Sequence, residues 1–127
     1  MQQKHVYEYA VVRVVPVVER EEFVNAGVIL FCKKEKFIRM KYRLRGELIL
    51  SLMPGADLDE IRSNLEAFCK IAAGEKGGGP IAGLDEAGRF RWLTSVRSAS
   101  IQTSRPHPGI CDDLEQTTDA LLAEMVG

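Results

Sequence analysis

The sequence predicts a single α+β domain over residues 1–127: an antiparallel sheet of about four or five strands with two helices packed on one face. Three observations carry this. Residues 9–32 (YAVVRVVPVVEREEFVNAGVILFC) are two apolar, β-branched runs joined by a charged elbow, residues 38–45 alternate strictly, and residues 58–72 place apolar side chains at spacings of three and four. A chain of 127 residues with 46% hydrophobic and 28% charged residues has the balance of one globular unit. It is long enough to bury roughly two thirds of the surface its unfolded form exposes.

The first strand is expected over Tyr7 to Val15. It is too rich in valine for a helix interior, and both of its faces are apolar, which suits a central position. Pro16 ends its pairing because it has no N–H. The elbow from Val17 to Phe23 holds Glu19, Arg20, Glu21 and Glu22 and makes the turn. Asn25, Ala26 and Gly27 then open the second strand, Val28 to Cys32, with a bulge or tight bend expected within these three residues. A connection this short pairs the two strands antiparallel.

In the third strand Ile38, Met40, Tyr42 and Leu44 alternate with Arg39, Lys41, Arg43 and Arg45, giving one apolar and one basic face. Residues 47–53 fit helix and strand spacing equally. Asp57 with Glu60 three residues on has the form of a helix cap, followed by a stripe of Leu58, Ile61, Leu65, Phe68 and Ala72 and a stop at Gly74. The glycine-rich residues 74–83 read as a loop that lacks the GxxxxGK[ST] pattern of a phosphate loop. Arg89 to Leu93 and Ser98 to Ser104 alternate again and are expected to be two further strands, in the main sheet or in a small sheet of their own. After the corner RPHPG, Asp112 or Asp113 caps a last helix with a stripe of Leu114, Thr118, Leu121, Leu122 and Met125.

Net charge is −1, divided unevenly: residues 1–53 carry an excess of basic groups and residues 54–127 an excess of acidic ones. No run approaches the about 18 apolar residues of a membrane helix. Cys32, Cys69 and Cys111 are widely spaced with no CxxC pair, and they read as small buried hydrophobes. A cytoplasmic protein without metal, cofactor or membrane contact is the expectation, of undetermined oligomeric state.

The first block, then PGADLDEI, then RFRWLTSVRSASIQTSRPHPGICDDLEQTTDALL, resembles the bacterial family called domain of unknown function 3037 over nearly the whole chain. In the first block Arg20, Glu22, Asn25 and Gly27 match the family's usual pattern, whereas Glu21 stands where glycine is expected and Phe23 where arginine is expected. In the last block Arg89, Phe90, Leu93, Arg97, Ser98, Gln102, Ser104, His107, Gly109 and Asp112 fall on it. The resemblance implies a helical turn over residues 47–53. It also implies an accessory or regulatory role beside a HipA-like kinase.

Arg13 interrupts an apolar central strand and needs a partner if buried. Glu22 is the candidate for a structural pair. The other reading aims Arg13 at an anionic ligand together with Arg20, Asn25, Arg97, Gln102 and His107. Glu22, Gly27, Asp57 and Asp112 read as structural. His107, Cys111, Asp112 and Asp113 share one corner, but the aspartates already serve as caps and the thiol as core. Ser104 with His107 and an aspartate could be a nucleophile, base and orienter, yet no nucleophile elbow surrounds the serine, and a turn held by side chain to backbone bonds suffices. The basic strand face could track phosphates at ~7 Å spacing. It lacks interleaved aromatics, and charged side chains also guard sheet edges, which argues against nucleic acid.

Two function classes follow: a non-catalytic interaction or regulatory module with a protein partner, where the elbow meets residues 97–107, or an enzyme or binding protein for a phosphorylated small molecule or nucleic acid at the same place. The paucity of acid and base pairs favours the first.

Overall fold

The computed structural model describes residues 4–97 and 99–127. The two valine-rich runs form a long antiparallel pair, β1 (His5–Val14) and β2 (Val24–Cys32). Along it the register runs from Glu8 opposite Phe31 to Val12 opposite Gly27, then slips so that Arg13 faces Asn25. Ala26 is the extra residue. The expected bulge therefore lies one position before Gly27, whose missing side chain has a separate cause: a Cβ there would lie 2.6 Å from the Lys41 carbonyl on β3 (Phe37–Tyr42). β3 pairs antiparallel with β2 and forms one edge of the sheet.

On its other side β1 carries two short strands, β4 (Ile101–Thr103) beside Val12 to Val14 and β5 (His107–Cys111) beside His5 to Tyr9. The corner RPHPG is thus only half a corner, because its last three residues enter a strand. Pro108 is tolerated there because an edge strand has a free side on which no N–H is needed. Ser104 bridges the break between β4 and β5. Its N–H donates to the Val11 carbonyl at 2.8 Å, and its Oγ accepts from the Val11 N–H at 2.9 Å while donating to Arg105 O at 3.0 Å. One buried residue keeps β1 hydrogen-bonded where its neighbour is interrupted. Ser98, the first residue of the expected later strand, lies outside the described residues.

Residues 89–93 are not a strand. They complete α3 (Glu86–Leu93), whose cap Asp85 accepts from the Gly88 N–H at 2.8 Å. Five residues are too few to separate a period of two from one of three. Burial of Phe90 and Leu93, three apart, decided it, with Phe90 stacked on Phe31 at 5.0 Å. Residues 47–52 belong to α1 (Gly46–Leu52), which buries Ile49 and is followed by Met53 as its extended C-cap. α2 (Leu58–Ala73) is capped by Asp57, whose Oδ1 accepts from Glu60 N at 3.1 Å, and ends at left-handed Gly74 as expected. The loop after it contains two 3-10 turns, Lys76–Gly78 and Pro80–Gly83. α4 (Leu114–Met125) is capped by Asp113, not Asp112; the latter pairs with Lys4 at 2.8 Å on the surface.

Among the described residues four α-helices therefore accompany the sheet, and they are shared between its faces. Alternate residues of β2 explain this: Ile29 and Phe31 join the core with α1, α2 and α3, whereas Val28, Leu30 and Cys32 point to the opposite face and meet Leu114 and Leu121 of α4. The two helices expected on one face, α2 and α4, lie on opposite ones. Every residue of β2 but Asn25 is buried. Truncating Ile29 or Leu30 to alanine falls in the range of about 2–5 kcal/mol for such sites.

Two changes test this account. Ser104→Ala leaves the Val11 N–H without its acceptor and is expected to lower stability by about 1–3 kcal/mol. Glu21 has φ +59° at the end of the 3-10 turn Val18–Arg20, a left-handed backbone that costs a non-glycine residue roughly 1–2 kcal/mol. Part of this gain is lost to glycine's freer unfolded chain, so Glu21→Gly is expected to raise stability by about 0.5 kcal/mol. Urea unfolding of both variants measures the two effects.

Candidate ligand-binding site

Beyond the bulge, the elbow and the segment following α3 close over one end of the sheet. They enclose a pocket of about 390 Å³, lined by Arg13 and Val15 from the first strand, Val18, Glu21 and Phe23 from the elbow, and Val96, Arg97 and Gln102 from the other side. Gln102 is the cross-strand partner of Arg13 in β4, so the sheet itself sets their spacing. The Gln102 amide is oriented by donating to Ala99 O at 2.9 Å.

Arg13 does not pair with Glu22. That carboxylate binds Arg20 at 2.7 Å on the exposed elbow, because residues two apart in one turn reach each other more readily than they reach the sheet. Instead the Arg13 guanidinium carbon lies 4.2 Å from the centre of the Phe23 ring, and its Nε is buried without a hydrogen-bond partner. Cation over ring contacts of this kind contribute about 0.5–2 kcal/mol and leave the in-plane donors free. Arg97 is held differently. Its guanidinium carbon is 4.5 Å from the Trp92 ring centre and 5.1 Å from that of Phe68, and it donates to Trp92 O and to Ser95 Oγ. Burial pushes its pKa down, but a guanidinium remains a cation at neutral pH.

Among the described residues neither Arg13 nor Arg97 has a carboxylate within ion-pair distance. The pocket thus presents two planar, partly dehydrated cations and an oriented amide against one acid, Glu21. Guanidinium forks of this sort match carboxylate and phosphate oxygens.

Of the residues proposed from sequence to share one cluster, Arg13, Arg97 and Gln102 come together. Asn25 faces Arg13 across the sheet, but its side chain serves α4, donating to Met125 O at 3.1 Å. Arg20 is committed to Glu22 on the surface. His107 lies in β5 against Tyr9, with ring centres 5.5 Å apart, where it is not among the lining residues. Ser104 commits its hydroxyl to backbone, which is the turn reading. Among the described residues no three His, Cys, Asp or Glu side chains are placed to hold a metal. The Cys69 thiol is pushed up to about 11, chiefly by burial, and stays protonated at neutral pH. Phe23 and Val96 were missed as pocket residues. Phe23 carried a signal, as an aromatic in a charged elbow, whereas nothing in its surroundings marked Val96.

The basic strand face has a different fate from either reading of the sequence. Arg39 Nε donates to Glu115 Oε2 at 3.1 Å, and Lys41 reaches Glu115 at 2.8 Å and Asp119 at 2.5 Å. Arg45 donates to Val126 O at 2.9 Å and Arg43 to Gly127 O, at the end where the α4 dipole is negative. The face is covered by an acidic helix. Tyr42, on the apolar side, donates to Glu66 instead.

No helix among the described residues is long and apolar enough to cross a membrane. The family model described as Protein of unknown function (DUF3037) matches residues 9–126. No curated protein and no solved structure matches the chain.

The seam between β3 and α4 has a definite pH signature. Its hydrogen bond to Lys41 holds the Glu115 carboxyl below its ordinary value, and bonds to Asp119 and Glu115 hold Lys41 above its own. The Glu115 contribution is present above its unfolded pKa of about 4.3 and is lost as pH falls through the lower folded value. The Lys41 contribution is present below about pH 10.4 and is lost as pH rises through the higher folded value. Glu115→Gln is expected to flatten the acid limb of stability against pH. At neutral pH it should cost under about 1 kcal/mol, since the pairs are exposed. Urea midpoints across the acid range check this.

Proposed function

The chain belongs to the DUF3037 family, proteins of unknown function, and on that premise we propose that it is a non-catalytic binding module whose pocket between Arg13 and Arg97 captures an anionic group. One observation carries the reading: two guanidinia share a pocket, each positioned by aromatic rings and neither met by a carboxylate among the described residues. Structural arginines buried in a sheet are ordinarily paired, because an uncompensated charge away from water is costly. Here the missing partner is best supplied from outside the fold.

Among the described residues Glu21 is the one lining side chain that could act as a base, and no nucleophile lines the pocket with it. That supports recognition over chemistry. The six-residue cluster envisaged for an enzyme acting on a phosphorylated small molecule is not assembled, since Arg20, Asn25 and His107 are directed elsewhere. A protein partner, with a HipA-like kinase as the one implied by family resemblance, remains the fitting context for a module of this kind.

Titrating the protein with inorganic phosphate, and separately with citrate, at constant ionic strength tests the reading. The unfolding midpoint of the parent protein is expected to rise, by about 1.4 kcal/mol of added stability at ten times Kd. Arg13→Met and Arg97→Met, each compared with itself in the absence of anion, are expected to lose that rise, and Gln102→Ala to reduce it. Equal stabilisation of both methionine variants by phosphate would sink the proposal.

A further inference from the structure

The cationic pocket continues past Phe23. The same ring lines a second concavity of about 340 Å³, whose walls include Asn25, Arg45 and the α1 residues Leu48 and Leu52. The joined groove is rimmed by exposed apolar side chains: Val96 is fully exposed, Phe23 is 45% exposed and Leu48 40%. Single exposed apolar residues need no explanation, whereas three around one groove mark a contact surface. Three arginines, Arg13, Arg97 and Arg45, line it against one acid, Glu21. At its middle lie two buried atoms without partners, the donor Arg13 Nε and the acceptor Asn25 Oδ1, on residues that face each other across β1 and β2.

We propose that the whole groove is a docking site for an acidic peptide segment with interspersed apolar side chains. The inference rests on the anion-pocket reading and extends it. Carboxylates of the peptide sit at Arg13 and Arg97, and its apolar side chains cover Phe23, Leu48 and Leu52. The charge balance of the groove selects an acidic partner over a neutral or basic one. The orphaned donor and acceptor select a peptide over an acyl chain, because a peptide group offers both a carbonyl for Arg13 Nε and an N–H for Asn25 Oδ1. The proximity of exposed aromatic, aliphatic and arginine side chains is the composition found at protein contacts.

Panning a displayed library of random twelve-residue peptides against the intact chain, then titrating enriched peptides by fluorescence against parent and variants, tests it. Enriched peptides are expected to contain Asp or Glu beside apolar residues. Val96→Glu and Leu48→Glu, at exposed positions that leave the fold intact, are expected to weaken binding at least tenfold, whereas Val96→Lys binds as well as the parent or better. Absence of enrichment, enrichment of non-acidic sequences, or equal binding by the two glutamate variants overturns the proposal. Val96-dependent binding of phosphatidylglycerol vesicles in place of peptides overturns it in favour of a lipid. The phosphate response of each variant is measured alongside: if it persists while peptides ignore the groove, the extension fails and the anion pocket stands.

Discussion

The backbone pairing of β1 on both edges is the constraint from which the remaining structure follows. The strand gives one edge to β2 over most of its length and divides the other between β4 and β5, so its backbone polar groups are matched on both sides, including those of its buried second half. That division requires a device at the break, and the hydroxyl of Ser104 is that device. It also requires the partner strand to accommodate a slip, and Ala26 is the residue that absorbs it. Past the slip, paired backbone continues but helix cover runs out, and Arg13 is left at the margin of the core beside Gln102. The pocket is where the sheet outlasts its cover.

Charge has two unequal roles in this molecule. The basic excess of the first half and the acidic excess of the second meet at the seam between β3 and α4, where Arg39 and Lys41 face Glu115 and Asp119. Exposed pairs of this kind contribute little each, and the apolar contacts of Leu114 and Leu121 do most to hold the helix, so the charges chiefly fix how it lies along the strand. Once these cations are neutralised, Arg13 and Arg97 stand out, because they are stacked on rings in place of being paired. The difference separates a cation neutralised within the fold from one left for the proposed anion.

The elbow connects the two themes. It holds Glu21, in a left-handed backbone that glycine would adopt without strain, and Phe23, the ring on which Arg13 rests. Both side chains line the same pocket. Strain of this kind is found where a particular side chain is needed more than stability, and Glu21 and Phe23 form the acid and the aromatic wall of the pocket.

Local and short-range patterns were enough to locate β1, β2, the bulge, β3, the capped α2 and the stripe of α4 from sequence, since each depends on residues within a turn or two. Arg13 stood out as a charge interrupting an apolar strand, whereas Arg97 and Gln102 were drawn from the family resemblance, and that the three line one pocket was decided by the fold. Other features depended on contacts that local patterns do not carry. Residues 89–93 satisfied two periods until Phe90 met Phe31, residues 107–111 looked like a corner until the free edge of β1 made them a strand, and Arg13 looked destined for Glu22 until Arg20 took it. The assignment of α2 and α4 to opposite faces likewise followed from the alternating burial of β2. Period and capping are written in neighbouring residues and fix element type; which groups meet across the chain is decided only when distant segments compete for the same edge, face or charge.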